Sequence, residues 1–518
     1  MPVANAGADR TVDPNLTSSF TLNGSASTDV GGIISAWAWH DITGGGNVLV
    51  GNTTVVEVPT PASVNGGART YRLTVTDNDG NTATDTVVIT VLAHTTWFMD
   101  GTTLRAVRPG GQTQEVVLGP GDPAVIRNVW IGKVTTNSLD VTAHVTTTQQ
   151  VRLRVSTSAD ITAAKVSAFV TPNANGYARM SVGGLSPDVE YYYGIEYNNL
   201  MVKDTGMRTR TFPSTTASVL IGFSACQNSS SSTVYNRLLA RNPRLFFNLG
   251  DFWYNDGGST ALSNYLTQYN NKLANTDMRN FYRRIPVAYT WSDHDYAMTG
   301  NNEGSAAAGK ANAQTAYHQR VPAWEKADTG NGIYQTFRLT PRIRVVVTDN
   351  RSYKSNNSAT DNSSKTVLGT TQKAWFKNIL STATEPFIIW AQDIPWIGSP
   401  SSPDDEWHAY STERAELAAH MTSTGKKGCI LAGDAHMVAA DSGVNSPGGW
   451  PVLHGAALNN SASVKGGPYS QGTYGSGTVQ QYGTLLVTDT GGTSMTLQYT
   501  GYDSSDVARI NLTKTITL

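Results

Sequence analysis

From about residue 214 onward, short apolar runs stop abruptly at residues that carry chemistry. VLIGFS passes into Ala-Cys-Gln, RLFFNLG into Asp, IRVVVTD into Asn-Arg, PFIIWAQ into Asp and GCILAGD into Ala-His. Runs of this length and composition fit strands buried on both faces. Between them lie STVYNRLLAR, SNYLTQYNNKL, TTQKAWFKNIL and STERAELAAHM, which have helical spacing. The alternation predicts an α/β layout, and sheets of that kind bind ligands at the carboxyl ends of their strands. The polar residues therefore stand where a site is expected.

At 518 residues the chain is too long for one ordinary core, and roughly three domains are expected. Residues 1–93 contain FTLNGSAST and TYRLTVTDNDGNTATDTVVITV; in the second, two alternating runs flank Asp-Asn-Asp-Gly, a hairpin pattern in an all-β sandwich. With ANAGADRTVDPN, LNGSASTD and AWAW, this segment resembles a polycystic-kidney-disease (PKD) repeat. Such modules mostly serve as spacers or surface binders, which leaves a surface, carbohydrate or protein partner open. Residues 94–124, including RPGGQTQEVVLGPGDPAV, read as a linker. In residues 125–213, VWIGKVTTNSLDVTAHV, QVRLRVST and GLSPDVEYYYGIEYN alternate again and predict a second sandwich, the last stretch resembling fibronectin type III modules.

Charged residues make up 15% of the chain, the net charge is -1, and no block of like charge occurs. That argues against a nucleic-acid surface or an anionic-membrane patch and favours a small or extended substrate. No run approaches the ~18 apolar residues of a spanning helix, and MPVANAGADR lacks the basic and apolar regions of a signal peptide. Two cysteines, Cys226 and Cys429, give no disulfide framework. Abundant Gly, Thr, Ser and Asn with scarce Lys suit an extracellular β-rich protein, and an extracellular or secreted location is the expectation.

Each strand end offers a chemical reading beside a plainer one. In GDFWY, Gly250 lets the backbone leave the strand, so that Asp251 can bridge two cations while Tyr254 reaches back; Gly-Asp is also an ordinary turn. In WSDHD, an extended segment would put Asp293 and Asp295 on one face and His294 on the other, offering an oxygen ligand and a proton donor; acidic clusters with His also occur as solvated turns. Asp434 and His436 stand at i and i+2 after an apolar run, on one side as two metal ligands require, although a strand-end His is often satisfied structurally. Cys226 would be a soft ligand as a thiolate or a small buried hydrophobe as a thiol, and the latter is the reading of Cys429.

Taken in order, FSACQ, NLGDFWYND, WSDHD, VVTDNRSYK, GTTQKAWFKNIL and LAGDAHM resemble the binuclear metallophosphoesterases, and among them the PhoD-like alkaline phosphatases and phosphodiesterases. The resemblance spans residues ~220–440. It implies a four-layer, calcineurin-like β-sandwich flanked by helices over residues 214–518, behind two N-terminal all-β Ig-like sandwiches. It also implies that Asp251 bridges two metals, that Cys226, Tyr254 and His436 complete one site suited to iron, and that Asp293 and Asp434 supply a second suited to calcium. Zinc, manganese and magnesium are the other ions such ligands take. His294 takes the place of the proton donor to the leaving oxygen, Asp295 keeps the last acid of the family's Asp-Asp-His-Glu, and Arg351 is expected to fork onto phosphate oxygens. The family's first-strand Asp-x-His is replaced by Cys226, as in PhoD-like members. Where other members place a His after the fourth strand, WAQDIPW offers Gln392 or Asp393.

The resemblance thus implies hydrolysis of a phosphate ester, of a lipid, a nucleotide or another small molecule, by a hydroxide held between two metals. Phe252, Trp253 and Trp396 are read as core packing, with substrate contact as the alternative. SYKSNNSATDNSSKT reads as a flexible loop over the site. A rival reading makes the chain a structural or adhesive surface component, such as part of a virus tail, with a retained enzyme fold. The gathering of Cys226, Asp251, Asp293, His294, Asp434 and His436 favours an enzyme. A serine hydrolase ranks last, because no Gly-x-Ser-x-Gly follows a strand in the catalytic part.

Overall fold

The computed structural model describes residues 1–12, 19–60, 67–91, 96–100, 103–107, 113–117, 125–161, 163–197, 200–203, 206–229, 233–298, 304–324, 332–400 and 404–518. It divides into two compact units, Met1–Ala124 and Val125–Leu518.

In the first unit, strands Arg10–Val12, Thr82–Val91, Gly67–Asp77, Ile34–Asp41 and Val48–Gly51 form one sheet in that order, and Ser19–Asn23 pairs with Val55–Pro59. Alternate residues face a core around Leu22, Trp39, Leu73, Val75 and Ile89. The Asp-Asn-Asp-Gly turn closes on itself: Asp77 Oδ1 accepts the backbone N–H of Asp79 at 2.9 Å and of Asn81 at 2.8 Å. An Asp side chain mimicking a backbone turn in this way is why that tetrapeptide ends a strand.

The segment expected to be a linker is a small sheet in its described part. Thr96–Asp100, Thr103–Val107 and Thr113–Val117 pair antiparallel in sequence order. TWFMD and TLRAV carry strand-forming residues on either side of Gly-Thr, a hairpin signal in the sequence that the Gly- and Pro-rich runs further on obscure. The Gly/Pro runs at 108–112 and 118–124 lie outside the described residues.

In the second unit two antiparallel sheets, built from strands between Ile126–Ile131 and Arg208–Arg210, are joined to the α/β part by hydrogen bonds and ring contacts. Lys133 N–H donates to Pro322 O at 2.8 Å, Trp324 Nε1 to Val134 O at 2.9 Å, and an Arg179 guanidinium N–H to Ala323 O at 2.7 Å. Arg320, fully buried, lies 5.8 Å from the ring of Trp130 and 5.4 Å from that of Tyr177.

Two mixed sheets make the centre of the unit. One runs Val287–Thr290, Leu245–Leu249, Val219–Ser224, Tyr482–Asp489, Ser494–Tyr502, Ala508–Thr517; the other runs Gln335–Thr340, Ile343–Val347, Phe387–Gln392, Lys427–Ala432, Val452–Gly455, Val438–Asp441, Thr473–Tyr474. The period of two explains the layers. Leu245 and Phe247 enter the core between the sheets, whereas Phe246 meets the helices Val234–Arg241 and Thr276–Tyr282. Likewise Ile389 faces the shared core, while Ile388 and Trp390 pack against Gly369–Thr382 and Ser411–Thr424. Strands with both faces buried, held between helical layers, account for the continuous apolar runs, and each such side chain contributes about 1.5–3 kcal/mol by burial. Among the described residues no helix is long and apolar enough to cross a membrane.

Candidate active site

The parallel strands end level with one another. Ser224 is opposite Asn248, Leu249 opposite Thr290, and Gln392 opposite Ala432. At this rim the two sheets touch: Thr290 Oγ1 donates to Thr348 O at 2.9 Å, and Trp291 Nε1 to Asp349 Oδ1 at 2.9 Å. Gly433 permits the approach, since a Cβ there would lie 2.4 Å from Leu249 O. At Gly250, φ is +100°, and an added Cβ would stand 2.7 Å from the Ser292 nitrogen. The chain can therefore turn out of the strand against Ser292 only with glycine in place.

Asp251 comes next, 1% exposed, at the centre of two groups. Ligand atoms of Cys226, Asp251 and His436 lie within 4.8 Å of one another, and so do those of Asp251, Asp293 and His294. Asp251 Oδ2 accepts from the Cys226 thiol at 3.4 Å and from the Tyr254 hydroxyl at 3.0 Å. Its Oδ1 is buried and has no hydrogen-bond partner among the described residues. Burial, reinforced by Asp293, holds the Asp251 carboxyl well above the usual range, and burial with Asp251 and Asp434 pushes the Cys226 thiol up. His436 is held below its ordinary value by burial, hence neutral; its Nδ1 lies 2.5 Å from Ser461 O and its Nε2 3.1 Å from the Tyr254 hydroxyl. An imidazole fixed through one nitrogen with the other facing the centre is arranged as a metal ligand. An unsatisfied carboxylate oxygen, a crowded acid and a buried thiol are what cations would relieve, so these residues fit metals.

The WSDHD segment departs from the extended expectation. Asp293–Ala297 is a short helix whose N-cap is Ser292. Successive residues rotate about 100° in a helix, so Asp293 and Asp295 diverge. Asp295 therefore leaves the face expected to be shared with Asp293 and, contrary to a catalytic part, is taken up in structural bonds: Oδ1 accepts Ser292 N–H at 2.6 Å, and Oδ2 accepts Phe252 N–H at 2.9 Å and the Tyr289 hydroxyl at 2.5 Å. Asp293 faces the centre, and although burial opposes it, Arg351 with His294 and Lys465 holds its carboxyl below the ordinary value.

His294 Nδ1 lies 2.6 Å from Asp256 Oδ1 and its Nε2 3.9 Å from Asp293 Oδ2. Against the effect of burial, the carboxylates of Asp251, Asp293 and Asp256 raise its pKa to about 8. The imidazole is therefore largely protonated at neutral pH, the form a proton donor needs. Asp256 stands in the same NLGDFWYND stretch as Asp251, with no spacing in the sequence that sets it apart from an ordinary turn residue.

Arg351 is also corrected. It is 0% exposed, and its guanidinium is committed to Asp393 Oδ2 at 2.7 Å, Asp405 Oδ2 at 2.8 Å and Ser292 Oγ at 2.7 Å, with Asp293 at 3.6 Å. It organises the acids and is not turned to a substrate. Gln392 accepts from Asn350, Trp407 and the Ile394 backbone, which makes it a structural tie. Asp393 is the partner of Arg351. Asp434 belongs to neither group of converging ligand atoms; its Oδ2 accepts from Lys465 Nζ at 2.8 Å.

Phe252, Trp253, Trp396 and Cys429 are all core residues, at most 1% exposed. The loop expected to be flexible is tied down: Tyr410 donates to Ser355 O at 2.8 Å, Ser411 to Asp361 at 2.5 Å, and Thr366 to Glu413 at 2.7 Å. One further group, Asp404, Glu406 and His408, brings ligand atoms within 4.8 Å and carried no sequence signal before folding.

Two helix-covered mixed sheets with acids, imidazoles and a thiol on one rim place the chain in the metallophosphoesterase fold class. The model of the PhoD-like phosphatase family matches residues 221–514, more than half of the chain, and the chain belongs to that family. A curated relative, alkaline phosphatase D of Bacillus subtilis (strain 168), is 24% identical over 317 residues, covering 51% of this chain. The chain spans about half, 54%, of that relative's length. A solved structure of PhoD superposes with a TM-score of 0.61 at 18% identity, covering 76% of this chain and 93% of that one, a likeness of fold. In the N-terminal unit, the model of a PKD domain family matches residues 6–91.

Proposed function

We propose that this chain is a metal-dependent phosphoric ester hydrolase acting on phosphomonoesters, phosphodiesters or both. The observation that carries the reading is the buried Asp251, which belongs to both groups of converging ligand atoms and whose Oδ1 has no hydrogen-bond partner among the described residues. Cys226, Tyr254 and His436 would hold one cation with Asp251; Asp293 with Asp251 would hold the other, and Asp434, bound to Lys465 in this structure, joins that set on the family resemblance alone. Soft and borderline donors suit iron in the first, and oxygens alone suit calcium in the second. When bound, such ions supply an activated water and neutralise charge gathering on phosphorus.

The chain's own residues account for the rest. His294, held by Asp256, carries the proton that the leaving alkoxide requires. Arg351 draws down the carboxyls of Asp293, Asp393 and Asp405 against the effect of burial and fixes them without touching substrate. The supporting geometry is that His294 lies beside Asp293, with its ring centroid 4.0 Å from that of Tyr254. An extracellular location and a surface, carbohydrate or protein partner for the PKD module belong to the same reading.

The test is hydrolysis of 4-nitrophenyl phosphate and bis(4-nitrophenyl) phosphate before chelation, after it, and after return of iron and calcium. Turnover lost to chelator and restored by metal is expected. Turnover indifferent to chelator, or none under any metal condition, would overturn the proposal.

A further inference from the structure

With Arg351 buried and fully engaged, the rim needs another cation to grip a phosphate. Among the described residues, the ion pairs to Asp293 come from His294 and Arg351, and the one to Asp434 comes from Lys465. His294 is held by Asp256, and Arg351 has no exposed surface. Lys465 keeps 32% of its side chain exposed while its Nζ stands 2.8 Å from Asp434 Oδ2. An ammonium has three N–H donors, and Asp434 engages one of them. Donors thus remain to be turned outward beside the acids that would hold the metals.

The backbone carrying Lys465 is fastened on both sides. Ser463 N–H donates to His436 O at 3.4 Å, and Gly467 N–H to Ile397 O at 3.0 Å. Lys465 O itself accepts from the Tyr469 hydroxyl at 3.1 Å. The same loop supplies Ser461 O to His436. The segment that orients a metal-ligand candidate therefore also delivers the cation.

We infer that Lys465 is the side chain that grips a non-bridging phosphate oxygen and biases the site toward monoester dianions over diester monoanions. The inference rests on the phosphate-ester reading above. Removing a charge-assisted hydrogen bond to phosphate lowers kcat/KM by about 10- to 100-fold. A monoanion carries half the charge, so about half the free energy is lost and the fall is about 3- to 10-fold.

The experiment compares wild type with Lys465→Ala, Lys465→Gln and Lys465→Arg. It measures kcat and KM on both nitrophenyl esters, calorimetric affinity for inorganic phosphate in the metal-loaded protein, bound metal, and melting temperature. The expected result has four parts: the larger loss on the monoester, phosphate affinity weakened about 10- to 100-fold, unchanged metal content and melting, and partial recovery in Lys465→Arg. Equal loss on both esters together with lost metal would overturn it, because Lys465 would then serve only to place Asp434. If wild type turns over neither ester, the hydrolase reading fails by itself and calorimetry decides Lys465: weaker phosphate binding in Lys465→Ala supports the grip, and unchanged binding overturns it.

Discussion

The two halves of the site share Asp251 but differ in how their charge is balanced. Around Cys226, Tyr254 and His436 the protein provides hydroxyl and thiol protons and a neutral imidazole, and the thiol and the tyrosine are both pushed up by burial. Around Asp293 it provides cations: Arg351, His294 and Lys465 all pull that carboxyl down. The first half thus keeps its protons as it stands, and a cation bound there would have to be polarising enough to replace them, since a thiolate and a phenolate form only when a metal displaces those protons. The second half is already compensated, and a cation bound there would need to do less polarising.

That contrast can be broken at its shared member. Asp251→Ala should lower turnover about 10⁴-fold or more, roughly 5 kcal/mol of barrier, with both metals lost in elemental analysis. Retained activity with normal metal content would rule out the bridging role. At His294, Gln should lower kcat about 10²- to 10⁴-fold with both metals in place. Loss of metal in that variant would instead make His294 a ligand.

Arg351→Met attacks the compensated half through stability. It leaves Asp293, Asp393 and Asp405 buried without their cation, at a cost of about 3–5 kcal/mol, and should lower the melting temperature much more than any change in the other half. A pair of variants separates the two halves: Cys226→Ser should empty the first while Asp293→Asn empties the second, each read by metal content. Simultaneous loss from either variant would show that the halves are not separable.

The smallest expected effect is at Asp256. Its carboxylate helps Asp251 and Asp293 to raise the pKa of His294, so Asp256→Asn should move the alkaline limb of the pH–rate profile toward lower pH. The sign for stability agrees. The folded pKa of about 8 lies above the ordinary 6.5, so the protonated imidazole stabilises the fold fully below about 6.5 and that contribution fades as pH rises through about 8. An unmoved limb would detach Asp256 from His294.

Much of this was legible in the chain because strand ends are a sequence signal. Cys226, Asp251, Tyr254 and His436 could be placed from the apolar runs that precede them, since a run that ends dictates where the next side chain emerges. The PKD-like hairpin was legible for a similar local reason, its Asp-rich turn. What failed depended on partners far along the chain or on a cap. Asp295 was misread because Ser292 caps a helix there, which turns an expected shared face into opposite ones. Arg351 was misread because the acids that occupy it, Asp393 and Asp405, come from 42 and 54 positions away. Lys465 lies in SASVKGGPYS, a loop without periodicity, and acquires meaning only beside Asp434.

Cys226, Asp251 and Asp434 share one further property: each lies at positive φ, 62°, 51° and 59°, a region that side-chain-bearing residues ordinarily avoid. Glycine would fit each of these positions with less conformational cost, and a copy of the chain released from selection for chemistry could drift to glycine there and become more stable as it lost its site. The three non-glycine residues thus work as a record of use: wherever a related chain keeps this backbone but holds glycine at all three, inheritance of the architecture has outlived the reaction.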